Sequence, residues 1–151
     1  MAPYGFGVSG DGLLVVSQAI ATTGASSYSI SATGAVTTDT AFVADGQAAA
    51  CWVTIVNTTA YALNAHNATI SAYTIAPSIG DITLVGNGVA PAAMTGTGPS
   101  DIAASPDGAF LYTRNGAGQS ITSWPIAHDG SLGSTTTFAG TPAFSAGIVV
   151  R

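Results

Sequence analysis

The chain has 151 residues, 47% of them hydrophobic, and charged side chains make up only 6%. Apolar content at this level excludes a disordered polar segment and allows a buried core. Seven aspartates, no glutamate, no lysine and two arginines leave a net charge of −5, which cannot supply the clustered cations that phosphate recognition needs. Nucleic acid is therefore not an expected partner. A membrane is not expected either: the apolar runs are short and broken by Gly, Ser or Thr, where a spanning helix would need roughly 20 apolar residues.

In chain order, Met1-Ala2-Pro3 leads directly into a first strand over Gly5 to Ser9, without the basic and apolar regions of a secretion signal. Strands follow at 13–19, 26–32 and 36–43, each a short β-branched or alternating stretch between turn residues. The same plan returns at 50–56, 59–65, 69–76 and 82–85, and again at 101–105, 109–115, 120–126 and 134–138. Asp11-Gly12 recurs 96 positions later as Asp107-Gly108, and Tyr28 recurs as Trp124, so two periods of about 48 residues separate them. The middle copy places Tyr73 at the aromatic position, with Tyr61 matching Tyr112 and Asn64 matching Asn115. Four antiparallel strands per repeat make a propeller blade. The expected fold is all-β: a partial β-propeller of three blades, at about 3–46, 47–98 and 99–141, with one extra inner strand over 144–150. Small residues such as Gly5, Gly7, Ala103 and Ala104 place the first strand of each repeat innermost, where blades converge. Trp52 departs from that rule, pointing into the channel or between blades.

Several runs carry a family resemblance. Leu14-Val15-Val16-Ser17-Gln18-Ala19, Ser26-Ser27-Tyr28-Ser29-Ile30, Gln47-Ala48-Ala49-Ala50-Cys51-Trp52-Val53, Ile70-Ser71-Ala72-Tyr73 and Ser105-Pro106-Asp107-Gly108-Ala109-Phe110-Leu111-Tyr112 are its elements. They resemble the lactonase-family seven-bladed β-propellers, which include 6-phosphogluconolactonase and carboxymuconate-cyclase relatives. The resemblance covers the C-terminal part of such a propeller and implies hydrolysis of a sugar or muconate-type lactone. An arc of three blades leaves apolar faces uncovered at both ends, which points to a homo-oligomer or to association with a missing propeller half.

Propeller geometry puts the loops after each second strand and the links into each first strand on one rim. Gln18, Gln47, Asn64, His66, Asn67, Asp101, Arg114 and Asn115 fall there, while Asp11, Asp107, His128 and Asp129 fall on the opposite face. Lactone hydrolysis needs an activated water, a base and donors for the developing oxyanion. His66 is the candidate base, with Arg114 and Asp101 beside it as catalytic candidates; Asn64, Asn115, Gln47 and Gln18 are candidate substrate donors. The competing reading makes His66 a solvated loop residue, pairs Arg114 with Asp101 or a carbonyl, and uses the asparagines to close turns. Asp11, Asp107 and Asp129 precede Gly and are explained by turn chemistry, so no metal site is expected. No cofactor is expected. Cys51 stands alone and reads as a buried small apolar residue. Composition poor in Lys and Glu favours a bacterial extracytoplasmic location. Two function classes result: a self-associating binding or scaffold module, and a lactonase acting on a small-molecule lactone or carbohydrate.

Overall fold

The protein is described by a computed structural model covering residues 2–86, 98–143 and 145–151. Twelve strands form three four-stranded antiparallel sheets, each in simple sequence order. The first sheet holds β1 (Pro3–Val8), β2 (Leu13–Gln18), β3 (Gly24–Ile30) and β4 (Val36–Ala44). The second holds β5 (Ala50–Val56), β6 (Thr59–Asn64), β7 (Thr69–Ile75) and β8 (Ile82–Leu84), and the third β9 (Pro99–Ala104), β10 (Phe110–Asn115), β11 (Ser120–Pro125) and β12 (Thr136–Ala139). This is an all-β partial propeller. Strand starts differ from the sequence expectation by a few residues: β3 begins at Gly24 rather than Ser26, because Gly24 pairs with both Gln18 and Ala44.

The repeat is visible in the register. Leu14 pairs with Tyr28, Ala60 with Tyr73 and Leu111 with Trp124, so the three aromatic residues hold one position in three blades. First strands lie side by side, β1 against β5 and β5 against β9, and form the inner wall. Gly5 permits that approach: an added Cβ would sit 2.1 Å from the Cys51 carbonyl oxygen. Serine 17 binds the same junction, its hydroxyl donating to Cys51 O at 2.9 Å while accepting from the Gly5 amide.

Two apolar seams hold the blades together. Leu13, Val15 and Ala25 of the first sheet meet Val53, Ala60, Ala62 and Tyr73 of the second. Tyr61, Leu63, Ile70 and Ala72 of the second sheet meet Ile102, Leu111 and Trp124 of the third. Alternation along each strand sends one set of side chains to the preceding blade and the other to the following blade, so both sheet faces are buried in the middle of the arc.

Residues 145–151 form no strand in this chain, although an inner strand is expected there, and residue 144 lies outside the described residues. The segment is held by side chains instead. Asp101 Oδ2 accepts the Ile148 amide at 2.8 Å, and the Arg114 guanidinium donates to Pro142 O and Ser145 Oγ. Each inner strand ladders with the second strand of its own sheet, as β1 does with β2, and residues 145–151 have no such partner among the described residues.

Candidate functional site

The rim is built by the ends of β2, β6 and β10, the loops after them, and the links into β5 and β9. Its three second-strand amides behave alike. Asn64 Nδ2 donates to Thr69 Oγ1 and Ser71 Oγ at 3.1 and 2.8 Å. Asn115 Nδ2 donates to Ser120 Oγ and Thr122 Oγ1 at 3.2 and 2.9 Å, and Gln18 Nε2 reaches Ser26 Oγ at 3.3 Å. All three are buried. One internal clasp thus repeats in every blade, tying the end of the second strand to hydroxyls on the third. These amides, expected as substrate donors, are turned into their own sheets.

Arg114 and Asp101 sit opposite each other on β10 and β9. Arg114 is buried and directs its donors to Asn115 O, Pro142 O and Ser145 Oγ. Asp101 accepts its neighbour's amide through Oδ1 and the Ile148 amide through Oδ2. Arg114 occupies the repeat position of Ser17, and both side chains anchor the next segment of the inner wall. The candidate cation and acid therefore act as a strap on residues 142–148.

His66 differs. It is exposed in the turn between β6 and β7, with its backbone amide donating to Ala48 O. Gln47 lies nearby in the link to β5, where its Oε1 accepts from Asn67 Nδ2 at 3.1 Å and Thr69 Oγ1 at 2.9 Å. The structure brings His66, Asn67 and Gln47 to one stretch of rim, and places Asp101 and Arg114 a blade away.

A buried carboxylate that sequence reasoning missed stands beneath this stretch. Asp45, 3% exposed, accepts hydrogen bonds from Thr23 Oγ1 (2.8 Å), the Gln47 amide (3.0 Å) and Ser71 Oγ (3.0 Å). Burial, followed by the Asp45 charge, pushes the Tyr73 phenol well above its ordinary range. Among the described residues Asn64 Oδ1 and the Tyr73 hydroxyl have no hydrogen-bond partner. The Asp45 carboxylate is held by neutral donors alone, two hydroxyls and a backbone amide, which ties the seam together at its rim end. Asp45-Gly46 reads as one more turn pair, which is why the sequence conceals it.

Every first strand also carries a bulge at its rim end. Register shifts fall between Pro3 and Phe6, between Ala50 and Trp52, and across the Pro99 to Asp101 step opposite Asn115 and Arg114. Bulges bend a strand and re-aim side chains. At the first two, Tyr4 and Trp52 meet edge to face, with ring centroids 5.6 Å apart and planes at 77°.

Two cavities open on the opposite face. A cavity of about 400 Å³ lies at the first seam, between the turn carrying Ser9 and Asp11 and the loops carrying Asn57, Thr58 and Ser78. A second, of about 320 Å³, lies at the next seam between Asn57 and the Ser105 to Gly108 turn. Both are shallow gaps between hairpin tips. Asp11, Asp107 and Asp129 are held below the usual carboxylate range first by the hydroxyls of Ser9, Ser105 and Ser131 respectively. Turn closure accounts for them, and among the described residues no cluster of His, Cys, Asp or Glu is suited to a metal.

Radial sheets with inner first strands and a bulged rim define a β-propeller arc. The profile described as "Lactonase, 7-bladed beta-propeller" matches residues 13–144, and the chain belongs to that family. Its fold is similar to a protein of unknown function from Desulfotomaculum acetoxidans, with a TM-score of 0.78 at 19% identity over 95% of this chain and 44% of the other. It is also similar to the periplasmic gluconolactonase of Pseudomonas aeruginosa, with a TM-score of 0.67 at 18% identity over the same shares, 95% and 44%. The chain thus spans less than half the length of these two structures. Among curated proteins, none matches the chain.

Proposed function

We propose that the chain is a self-associating binding or scaffold module of the lactonase propeller family, which completes its blade stack with a second copy. One observation carries this reading. Tyr73 and Trp124 are fully buried, each against the preceding blade, whereas Tyr28 at the same repeat position is only half-buried. Phe6 (67% exposed) and Val8 flank it on the uncovered face, and Phe110 and Phe138 are exposed at the other end of the arc. Front-to-back contact between copies would reproduce the internal seams and can close a ring. Light scattering at micromolar concentration is expected to report a dimer or larger species, with Phe6→Asp shifting it toward monomer. A folded wild-type monomer at those concentrations would end this reading.

A second reading is lactone hydrolysis at the rim, supported by family membership and by the exposed imidazole of His66. Acid release from sugar and muconate lactones, followed in a pH-stat, is expected to fall at least tenfold in His66→Ala. Unchanged rates in that variant, or no hydrolysis by the wild type, would exclude it.

A further inference from the structure

We infer that residues 145–151 are a displaceable cover on the face of the third sheet where β1 of a second copy docks. The inference rests on the front-to-back association proposed above and concerns its regulation. Its ground is the repeat. Phe6 pairs with Val16, Val53 with Ala62 and Ile102 with Thr113, so Phe6, Val53 and Ile102 hold one position in three inner strands. Val8, Ile55 and Ala104 hold the next position on that side. Val53 and Ile102 are buried in the seam with the preceding blade, and Ile55 and Ala104 pack against the same seams. Phe6 and Val8 have no preceding blade in the chain and stay exposed. A second copy would bring them to the following face of the third sheet, beside β9.

That place is already taken. Gly147-Ile148-Val149-Val150 repeats the spacing of Gly5-Phe6-Gly7-Val8. Ile148 and Val150 are half-buried while Val149 between them is 81% exposed, the alternation of an inner strand. The anchors match too. Ser17 donates to Cys51 O of the following inner strand, and Arg114 at the same repeat position donates to Pro142 O and Ser145 Oγ. Asp101 pairs with Arg114 across β9 and β10, so both side chains leave the same face of the sheet, and Asp101 accepts the Ile148 amide. Phe110 and Phe138 remain exposed. The cover is lightly held: β1 is fixed by a ladder with β2, whereas the bonds described for residues 145–151 come from side chains. When only a fraction of molecules is competent, apparent affinity falls by that fraction, so the cover lowers self-association to the extent that it stays in place.

Hydrogen exchange read by mass spectrometry tests this in the unaltered chain. The peptide carrying Ile148 is expected to exchange faster above the association concentration than below it, because docking displaces the segment. Equal or slower exchange would overturn the cover, by keeping the segment within the contact. Ile148→Asp, which sets a carboxylate beside Asp101, is expected to lower the dissociation constant in sedimentation velocity about tenfold. Adding Phe6→Asp to that chain should cancel the gain. Unchanged or weaker association in Ile148→Asp sinks the cover and leaves self-association standing, whereas no association in either chain sinks both. A gain that survives Phe6→Asp also overturns the cover, by placing the new contact away from β1.

Discussion

The two seams of the arc solve the same packing problem with different materials. The second seam is filled by large side chains, with Tyr61, Leu63, Ile70 and Leu111 around a fully buried Trp124. The first mixes Leu13, Ile75 and Ile82 with the smaller Ala25, Ala60, Ala62, Val15 and Val53 around Tyr73, and is closed at its rim end by the Asp45 network. Its alanines and valines bury less apolar surface per residue, so the hydrogen bonds of Asp45 across the seam add to the attachment. One repeat position, occupied by Tyr in one seam and Trp in the other, therefore sits in a mixed polar environment in the first case and an apolar one in the second.

Truncation should separate the seams most sharply. Trp124→Ala is expected to cost about 3–5 kcal/mol, since it opens a cavity among residues that cannot collapse around it, and thermal unfolding followed by circular dichroism would measure the loss. A loss below about 1 kcal/mol would mean that the second seam is not the apolar anchor. At the first seam, Asp45→Ala leaves the Ser71 hydroxyl and the Gln47 amide without their acceptor and the Thr23 hydroxyl with Gln47 O alone. The expected cost is about 2–3 kcal/mol, read from denaturant unfolding, with part of it recovered in Asp45→Asn.

Alkaline titration gives the smallest effect. Burial pushes the Tyr61 phenol up to about 12, with a hydrogen bond involving Thr59 opposing and the Asp129 charge adding to the rise. A phenol whose folded pKa exceeds its unfolded value contributes stability that is fully present below the unfolded value near 10. That contribution is lost as pH rises toward 12. Ultraviolet difference spectra should show a late phenol ionisation near pH 12 that Tyr61→Phe removes. The same substitution deletes the 2.7 Å bond from the Tyr61 hydroxyl to Gly130 O, at a cost of about 1 kcal/mol.

Much of this architecture was legible in the sequence because it depends on local chemistry. Asp-Gly turns and period-two alternation are visible within a few residues, and the recurrence of Tyr28, Tyr73 and Trp124 shows once the repeats are laid side by side. The rim was less legible, since a polar residue at a strand end can face solvent or its own sheet. A signal for the second outcome exists: Asn64 is followed by hydroxyls at Thr69 and Ser71, and Asn115 by hydroxyls at Ser120 and Thr122, with the same spacing. Asp45 gave no such signal, because Thr23, just before β3, and Ser71, on β7, approach it from 22 and 26 residues away. The bulges were equally hidden, since an extra residue in a small-residue strand leaves its composition unchanged. Arg114 illustrates the limit of residue-type reasoning: a guanidinium fitted for anions here holds carbonyls.

The strap formed by Arg114 has a practical corollary. Trypsin cuts after lysine and arginine, and the sequence has no lysine and only two arginines, one of them the last residue. Of the two, the Arg114–Asn115 bond lies in β10 with neighbours paired on both sides. Scission there has to await opening of the third sheet, so digestion rate counts how often that sheet comes apart. The molecule carries its own gauge of local unfolding, readable as two fragments on a gel.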